Sequence, residues 1–183
     1  MERKATEADF NDMIQDWVKQ NALEKSKTIT GSDRAKIKRW FLDALDQELP
    51  GEAAVGRGIR ERMDGVSVSR AKTIARTETH GAVQETAAET MRLEAEAVGL
   101  EGDTQKVWTA GMDMRVRESH AEADGQAVGL DESFTVGGVS LRFPGDPLGP
   151  PEEVINCRCI LTYEVQDADW DAAEAAVRAR GGR

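Results

Sequence analysis

The sequence has few aromatic residues, few prolines and no long apolar run. Phe, Trp and Tyr make up 5% of the 183 residues, so a core must be built mainly from aliphatic side chains. No run approaches the roughly 18 apolar residues of a membrane-spanning helix, which argues against an integral membrane protein. Because residues 1–6 are charged rather than apolar, we also expect no secretory signal.

An excess of positive charge is also missing. The 24 basic and 34 acidic residues give a net charge of −10, whereas a protein that grips duplex DNA over its whole surface needs the opposite balance. A basic strip within residues 57–76 nevertheless offers candidate DNA contacts, namely Arg57, Arg60, Arg62, Arg70 and Lys72. The alternative is that these side chains form an ordinary solvated face.

Only two cysteines occur, Cys157 and Cys159, with one residue between them. A disulfide between them would close a very small, strained ring and would constrain no long loop. We therefore expect both to be reduced thiols in a cytosol-like compartment.

The first half of the chain has a helical pattern. Apolar residues at helical spacing predict one helix over residues 6–24 and a second that is capped near Ser32 and ends at Pro50. The glycine-rich residues 51–65 predict a connector around a short helical turn. A long helix is then expected from Ser67 or Ser69 to about residue 98, where Gly99 ends it.

The second half favours short strands. We predict a strand over residues 106–109, a short helix that Asp113 caps and that runs to about residue 122, a hairpin with a Gly-Gly turn over residues 134–143 and a strand over residues 159–165. Residues 144–151 hold four prolines and predict a loop, and a helical tail is expected over residues 167–180. The fold class is therefore α+β: N-terminal helices including one long helix, a small, mostly antiparallel sheet with a short helix, and a C-terminal helix.

Residues with metal-binding chemistry occur in two segments. A helix would place Asp113 and His120 on one face with Arg117 between them, and a strand would point both cysteines to one side. Two thiolates, an imidazole and a carboxylate make a candidate zinc site of His120, Cys157, Cys159 and Asp113. Alternatively, because a one-residue gap splays such ligands, one cysteine packs as a small apolar residue and His120 donates a structural hydrogen bond.

A buried acidic residue suggests a further polar centre. Glu78 falls on the apolar stripe of the long helix, so its carboxylate needs a hydrogen bond or an ion pair. Arg115, Arg117 or Arg158 are candidates for its partner. The cluster then either fixes the packing of the helix on the sheet or forms a binding or reactive centre.

Six short motifs occur in a characteristic order: residues 74–79 (IARTET), 107–109 (VWT), 113–120 (DMRVRESH), 124–126 (DGQ), 144–147 (PGDP) and 155–159 (INCRC). Together they resemble the Mu F-like domain of phage minor head proteins, the head morphogenesis proteins, over more than half of the chain. The resemblance draws attention to a motif cluster of polar residues: Arg76, Glu78, Asp113, Arg117, His120, Asp146, Asn156 and Arg158.

The resemblance implies a minor capsid protein of a tailed phage, prophage or gene transfer agent. Such a protein is made in the host cytoplasm and lies inside the head of the virion, where it associates with the portal protein and with other capsid or scaffold proteins. It would assist head assembly and genome packaging and delivery, without catalytic residues or a small-molecule substrate. No cofactor is implied, although zinc fits the cysteine and histidine set.

The resemblance also divides the chain. Residues 1–65 form an N-terminal helical region that we assign to portal or scaffold contact, residues 66–166 form the Mu F-like α+β domain, and residues 167–183 form a helical tail. The alternative function is a metal-dependent or Cys/His enzyme, a hydrolase or transferase carried in the virion. That reading needs a thiol near His120 with a third group to orient the pair.

Overall fold

The computed structural model describes residues 52–62, 67–111, 113–166 and 169–181, together with the single positions Asp12, Asp16 and Arg39. Apart from those three positions, which are helical, the two helices predicted before residue 51 lie outside the described residues. No helix in the described ranges is both long enough and apolar enough to cross a bilayer.

Helices and short strands follow one another along the described chain, and all but the strand Ala127–Gly129 and the short helix Pro151–Val154 lie in segments for which the sequence predicts such an element or a helical turn. The elements are α1 (Glu52–Arg62), α2 (Val68–Val98), β1 (Thr104–Thr109), α3 (Glu118–Glu122), β2 (Ala127–Gly129), β3 (Phe134–Val136), β4 (Val139–Leu141), α4 (Pro151–Val154), β5 (Ile160–Val165) and α5 (Trp170–Gly181). β1 lies between β2 and β5 in a three-stranded antiparallel sheet, and β3 and β4 form an antiparallel hairpin. The predicted α+β class is confirmed.

The long helix α2 has the ends that its sequence predicts. Ser67 is the N-cap, because its Oγ accepts a hydrogen bond from the amide of Arg70 at 3.2 Å. At the other end Gly99 has a φ of +72°, and the amide of Leu100 donates to the carbonyl of Ala95 at 2.9 Å. This is a Schellman motif, and it needs the left-handed conformation that glycine adopts at little cost.

Helix α1 differs from the prediction. The sequence predicts a connector around a short helical turn in residues 51–65, but α1 has 11 residues. Glycine usually weakens a helix interior. Here Gly56 is buried and packs against α2, where a Cβ built on it would make an ordinary contact at 3.7 Å from the Cα of Lys72. Tertiary packing therefore outweighs the low helix propensity of the segment.

The chain divides into two compact units, which we describe separately. The sheet unit contains the described parts of Gln84–Pro144 and Arg158–Arg183, and the helical unit contains those of Glu7–Val83 and Gly145–Cys157. The second half of α2 belongs to the sheet unit and its first half to the helical unit.

The core of the sheet unit is built around β1. Trp108 is fully buried and packs edge to face against Phe134, with ring centroids 5.4 Å apart. The predicted Gly-Gly hairpin is confirmed: Gly137 and Gly138 have φ values of +58° and +78°, as a tight turn with two left-handed residues requires. Strand β1 begins two residues before the predicted strand and pairs along its whole length with β5.

The helical unit has an aliphatic core. The buried side chains of α1 and the first half of α2 recur at helical spacing: Val55, Ile59, Ala71, Ile74, Ala75 and Ala82. The proline-rich loop lies directly against α2, because a Cβ on Gly145 would come within 3.3 Å of the Cα of Gly81. With a φ of +83° at Gly145, both its conformation and its position favour glycine.

The C-terminal helix α5 starts later than predicted. Asp169 caps it, because its Oδ1 accepts a hydrogen bond from the amide of Ala172 at 3.0 Å. Most of its side chains are exposed, and Ala173 is buried.

Candidate functional site

The turn before α3 places Asp113 differently from the sequence prediction. Helix α3 begins at Glu118, so the prediction of a helix that starts at Asp113 and carries both Asp113 and His120 on one face is wrong. Asp113 Oδ1 instead accepts a hydrogen bond from the amide of Arg115 at 2.9 Å. Asp113, which the sequence predicts to be a helix cap, therefore closes a local Asx turn instead.

Asp113 forms a two-point ion pair with Arg158. Arg158 Nη2 donates to Asp113 Oδ1 at 2.6 Å, and Nη1 donates to Oδ2. The hydrogen bonds from Arg158 and from the amide of Arg115 lower the pKa of Asp113 from 3.8 to about 2. Gly111 makes room for this arrangement, because a Cβ built there would lie 3.3 Å from the carbonyl oxygen of Arg158.

A histidine and a thiol meet in the interior of the sheet unit. His120 on α3 and Cys159, immediately before β5, are each 1% exposed, and His120 Nδ1 lies 3.2 Å from Cys159 Sγ. The imidazole also packs edge to face against Trp108, with centroids 5.4 Å apart. The pair is therefore enclosed by protein, and one ring nitrogen faces the sulfur.

Asn156 shapes the chain just before the cysteines. It has a φ of +57°, the left-handed region in which asparagine is tolerated better than most residues. Its amide donates to Thr77 Oγ1 on α2 at 3.1 Å, and the amide of Cys157 donates to the carbonyl of Val154 at 3.1 Å. Cys157 is buried in the helical unit. The motif 155–159 thus begins as a tight turn after α4 and continues into β5.

The other members of the predicted motif cluster lie in both units. In the helical unit Arg76 is exposed, Glu78 is half-buried, and Asp146 is buried and accepts a hydrogen bond from the amide of Leu148 at 2.9 Å. In the sheet unit Arg117 is half-buried at the start of α3. The sheet unit brings together Asp113 with Arg158 and His120 with Cys159. One cluster that contains all eight residues stays a prediction.

The basic strip belongs to the helical unit. Arg57 and Arg60 on α1 and Arg70 and Lys72 on α2 are exposed. Arg62 is half-buried and donates to the carbonyl of Gly58 at 3.1 Å. Four of the five candidate cations therefore extend toward solvent, and their contact with DNA stays a prediction.

One polar residue that connects the helix with the sheet was missed by the sequence analysis. Gln84 on α2 is buried, and its Oε1 accepts a hydrogen bond from the amide of Leu161 in β5 at 2.8 Å. Next to it Glu85 lies 3.5 Å from Arg142. The sequence offers only a weak signal that Gln84 is buried, namely that it lies about three helical turns before the buried Ala95 and therefore on the same face of α2.

One known protein family matches most of the chain in sequence. Residues 36–162 match the family described as Phage Mu protein F like protein. The chain belongs to this family. The match includes the Asp113–Arg158 pair, the His120–Cys159 pair and the turn at Asn156, so these features lie within the Mu F-like region.

Three curated proteins are similar in sequence to this chain. The chain is 37% identical over 115 residues to the NAD(+)--arginine ADP-ribosyltransferase EFV of Enterococcus faecalis. This match covers 63% of this chain and 22% of that protein. It is 33% identical over 117 residues to the minor head protein GP7 of Bacillus phage SPP1, which covers 63% of this chain and 36% of that protein. It is also 37% identical over 62 residues to the uncharacterized protein YqbB of Bacillus subtilis, which covers 32% of this chain and 20% of that protein.

These matches cover only part of each relative. The chain spans little more than a third of GP7 and about a fifth of each of the other two proteins. No solved structure matches the chain significantly.

Proposed function

We propose that this protein is a minor head protein of a tailed phage, a prophage or a gene transfer agent, and that it assists head assembly. Its membership of the Mu F-like family and its 33% identity to the minor head protein GP7 support this function. The similarity to GP7 covers 63% of this chain, and we consider it the decisive observation.

Protein–protein contact, rather than catalysis, is the mode of action that the geometry supports best. A catalytic thiol must reach its substrate, yet His120 and Cys159 are each 1% exposed. Asp113 and Arg158, which also belong to the motif cluster, bind each other through two hydrogen bonds. These groups hold segments of the chain together, as a structural component requires.

The transferase name of one relative does not favour an enzymatic function here. Only 22% of that protein is matched, and the segments matched by the transferase and by GP7 each cover more than half of this chain, so they overlap. A segment common to a head protein and a transferase is better explained as a shared module than as the seat of ADP-ribosyl transfer.

The partners in this proposal are the portal protein and other capsid or scaffold proteins, inside the head. Residues 1–65 would make the portal or scaffold contact. The net charge of −10 is compatible with a site next to packaged DNA, because repulsion from phosphate keeps the protein from being trapped on the genome. The exposed cations of the helical unit would then be its local contact with DNA during packaging or delivery.

A titration in cells tests the proposal. In a phage that lacks this coding segment, the chain is supplied from a plasmid with a graded promoter, and head number, DNA content and infectious titre are measured against the cellular amount of the chain. A structural component should restore titre in proportion to its amount until the heads are saturated. Full restoration at amounts far below one chain per head would contradict the proposal and favour the Cys/His enzyme.

A further inference from the structure

The histidine–thiol pair carries an inference that goes beyond a role in head assembly. We propose that His120, Cys159 and Cys157 bind one zinc ion. Nothing in the family description or in the names of the relatives assigns a metal to this chain.

The geometry of the first two ligands fits a tetrahedral ion. Zinc lies about 2.3 Å from a thiolate and about 2.0 Å from an imidazole nitrogen, which places the two ligand atoms about 3.5 Å apart. His120 Nδ1 and Cys159 Sγ are 3.2 Å apart and both residues are buried. They lie in segments distant in sequence, on α3 and directly before β5, so an ion would tie α3 to the sheet.

The third ligand is Cys157, because one ligand atom each from His120, Cys157 and Cys159 all lie within 4.8 Å of one another. Two trans peptide units separate the Cα atoms of Cys157 and Cys159, so these atoms lie within about 7 Å of each other. Cys157 is 1% exposed, and Asn156 before it holds the chain in a tight turn. Because the chain turns here and the strand begins only at Ile160, the two cysteines do not have the regular strand geometry that would splay their thiols.

Charge balance allows a zinc ion to be buried here. Two thiolates and a neutral imidazole offset the double charge of Zn²⁺, and a neutral complex is far less costly to bury than an isolated ion. The surroundings at Trp108 are apolar and enclosed. The three protein ligands leave the fourth position of the zinc tetrahedron to a water molecule.

Asp113 is not part of the proposed site. Its two carboxylate oxygens accept hydrogen bonds from Arg158, and its Oδ1 also accepts one from the amide of Arg115. Its exposed position makes it a suitable control. The candidate set of four ligands from the sequence analysis is thereby reduced to three protein ligands.

The test is the metal content of the full chain, purified under reducing conditions without chelator. The wild type and Asp113→Asn should each contain about one zinc per chain, whereas Cys157→Ser, Cys159→Ser and His120→Asn should lose most of it. Loss with Cys159→Ser and His120→Asn but full retention with Cys157→Ser would overturn the assignment of the third ligand. Absence of zinc from the wild type would overturn the site itself.

A second measurement does not depend on the folding of the ligand variants. Cobalt that replaces zinc in the wild-type chain should show thiolate-to-cobalt charge-transfer absorption, and a strong chelator should abolish it and lower the melting temperature. Unchanged melting with chelator, or a cobalt spectrum without thiolate absorption, would contradict the proposal. If the wild type lacks zinc but is still incorporated into heads, the metal site is wrong and the proposed function stands.

Discussion

At the scale of single residues, the side chains that form the site were predictable, but their pairing was predictable only in part. The sequence indicated that Asp113, Arg158, His120 and the cysteines belong to one region, because their motifs occur in a fixed order. It did not indicate that Asp113 binds Arg158, whereas it did place His120 and Cys159 in one candidate site. Those pairs depend on β5 lying beside β1, a long-range contact that local patterns do not encode.

The Asp113–Arg158 pair has a measurable pH signature. The folded pKa of Asp113 is about 2, below its ordinary 3.8, so its ion pair stabilises the fold above that ordinary value and is lost as the pH falls from about 4 to about 2. We expect Asp113→Asn to be less stable than the wild type at neutral pH. The difference should shrink toward zero near pH 2.

Urea unfolding at several pH values between about 7 and 2 measures this difference. Asp131→Asn, a change at an exposed residue, is the control for the general effect of removing one negative charge. If the two variants show the same difference from the wild type at every pH, the ion pair does not contribute as described.

At the scale of elements, the ends of α2 were predictable because local chemistry determines them. Ser67 and Gly99 act through the backbone of their own turn, so the sequence is enough to place them. The extents of α1 and α3 were not predictable from the sequence. In α1 the low helix propensity of Gly56 is offset by packing against α2, and before α3 Asp113 forms an Asx turn instead of capping a helix. Tertiary contacts and competing local turns account for both errors.

Gln84 provides a test of how α2 is tied to the sheet. Replacing it with alanine leaves the buried amide of Leu161 without its acceptor, a defect that costs about 1–3 kcal/mol. The exposed Gln166 is a matched control, since its side chain donates to Gln105 at 2.7 Å on the surface and its loss should cost about 0.5 kcal/mol or less. Urea unfolding compares the two variants, and equal midpoints would show that the Gln84 contact is not important for stability.

At the scale of the whole molecule, the order of motifs was more informative than the composition. The composition excluded a surface that is basic throughout, and the lack of long apolar runs argued against a membrane-spanning helix. The six motifs indicated the Mu F-like family, and the match over residues 36–162 confirms it. The partner surfaces were not predictable, because assembly contacts depend on other chains whose shapes this sequence does not encode.

We propose that this protein is a component of the phage head. Mass spectrometry of purified DNA-filled heads, treated with protease before they are opened, tests this location. We expect protected peptides from the Mu F-like region at a constant number of copies per head. Their absence from the heads, while the chain is abundant in the lysate of the same infected cells, would contradict it.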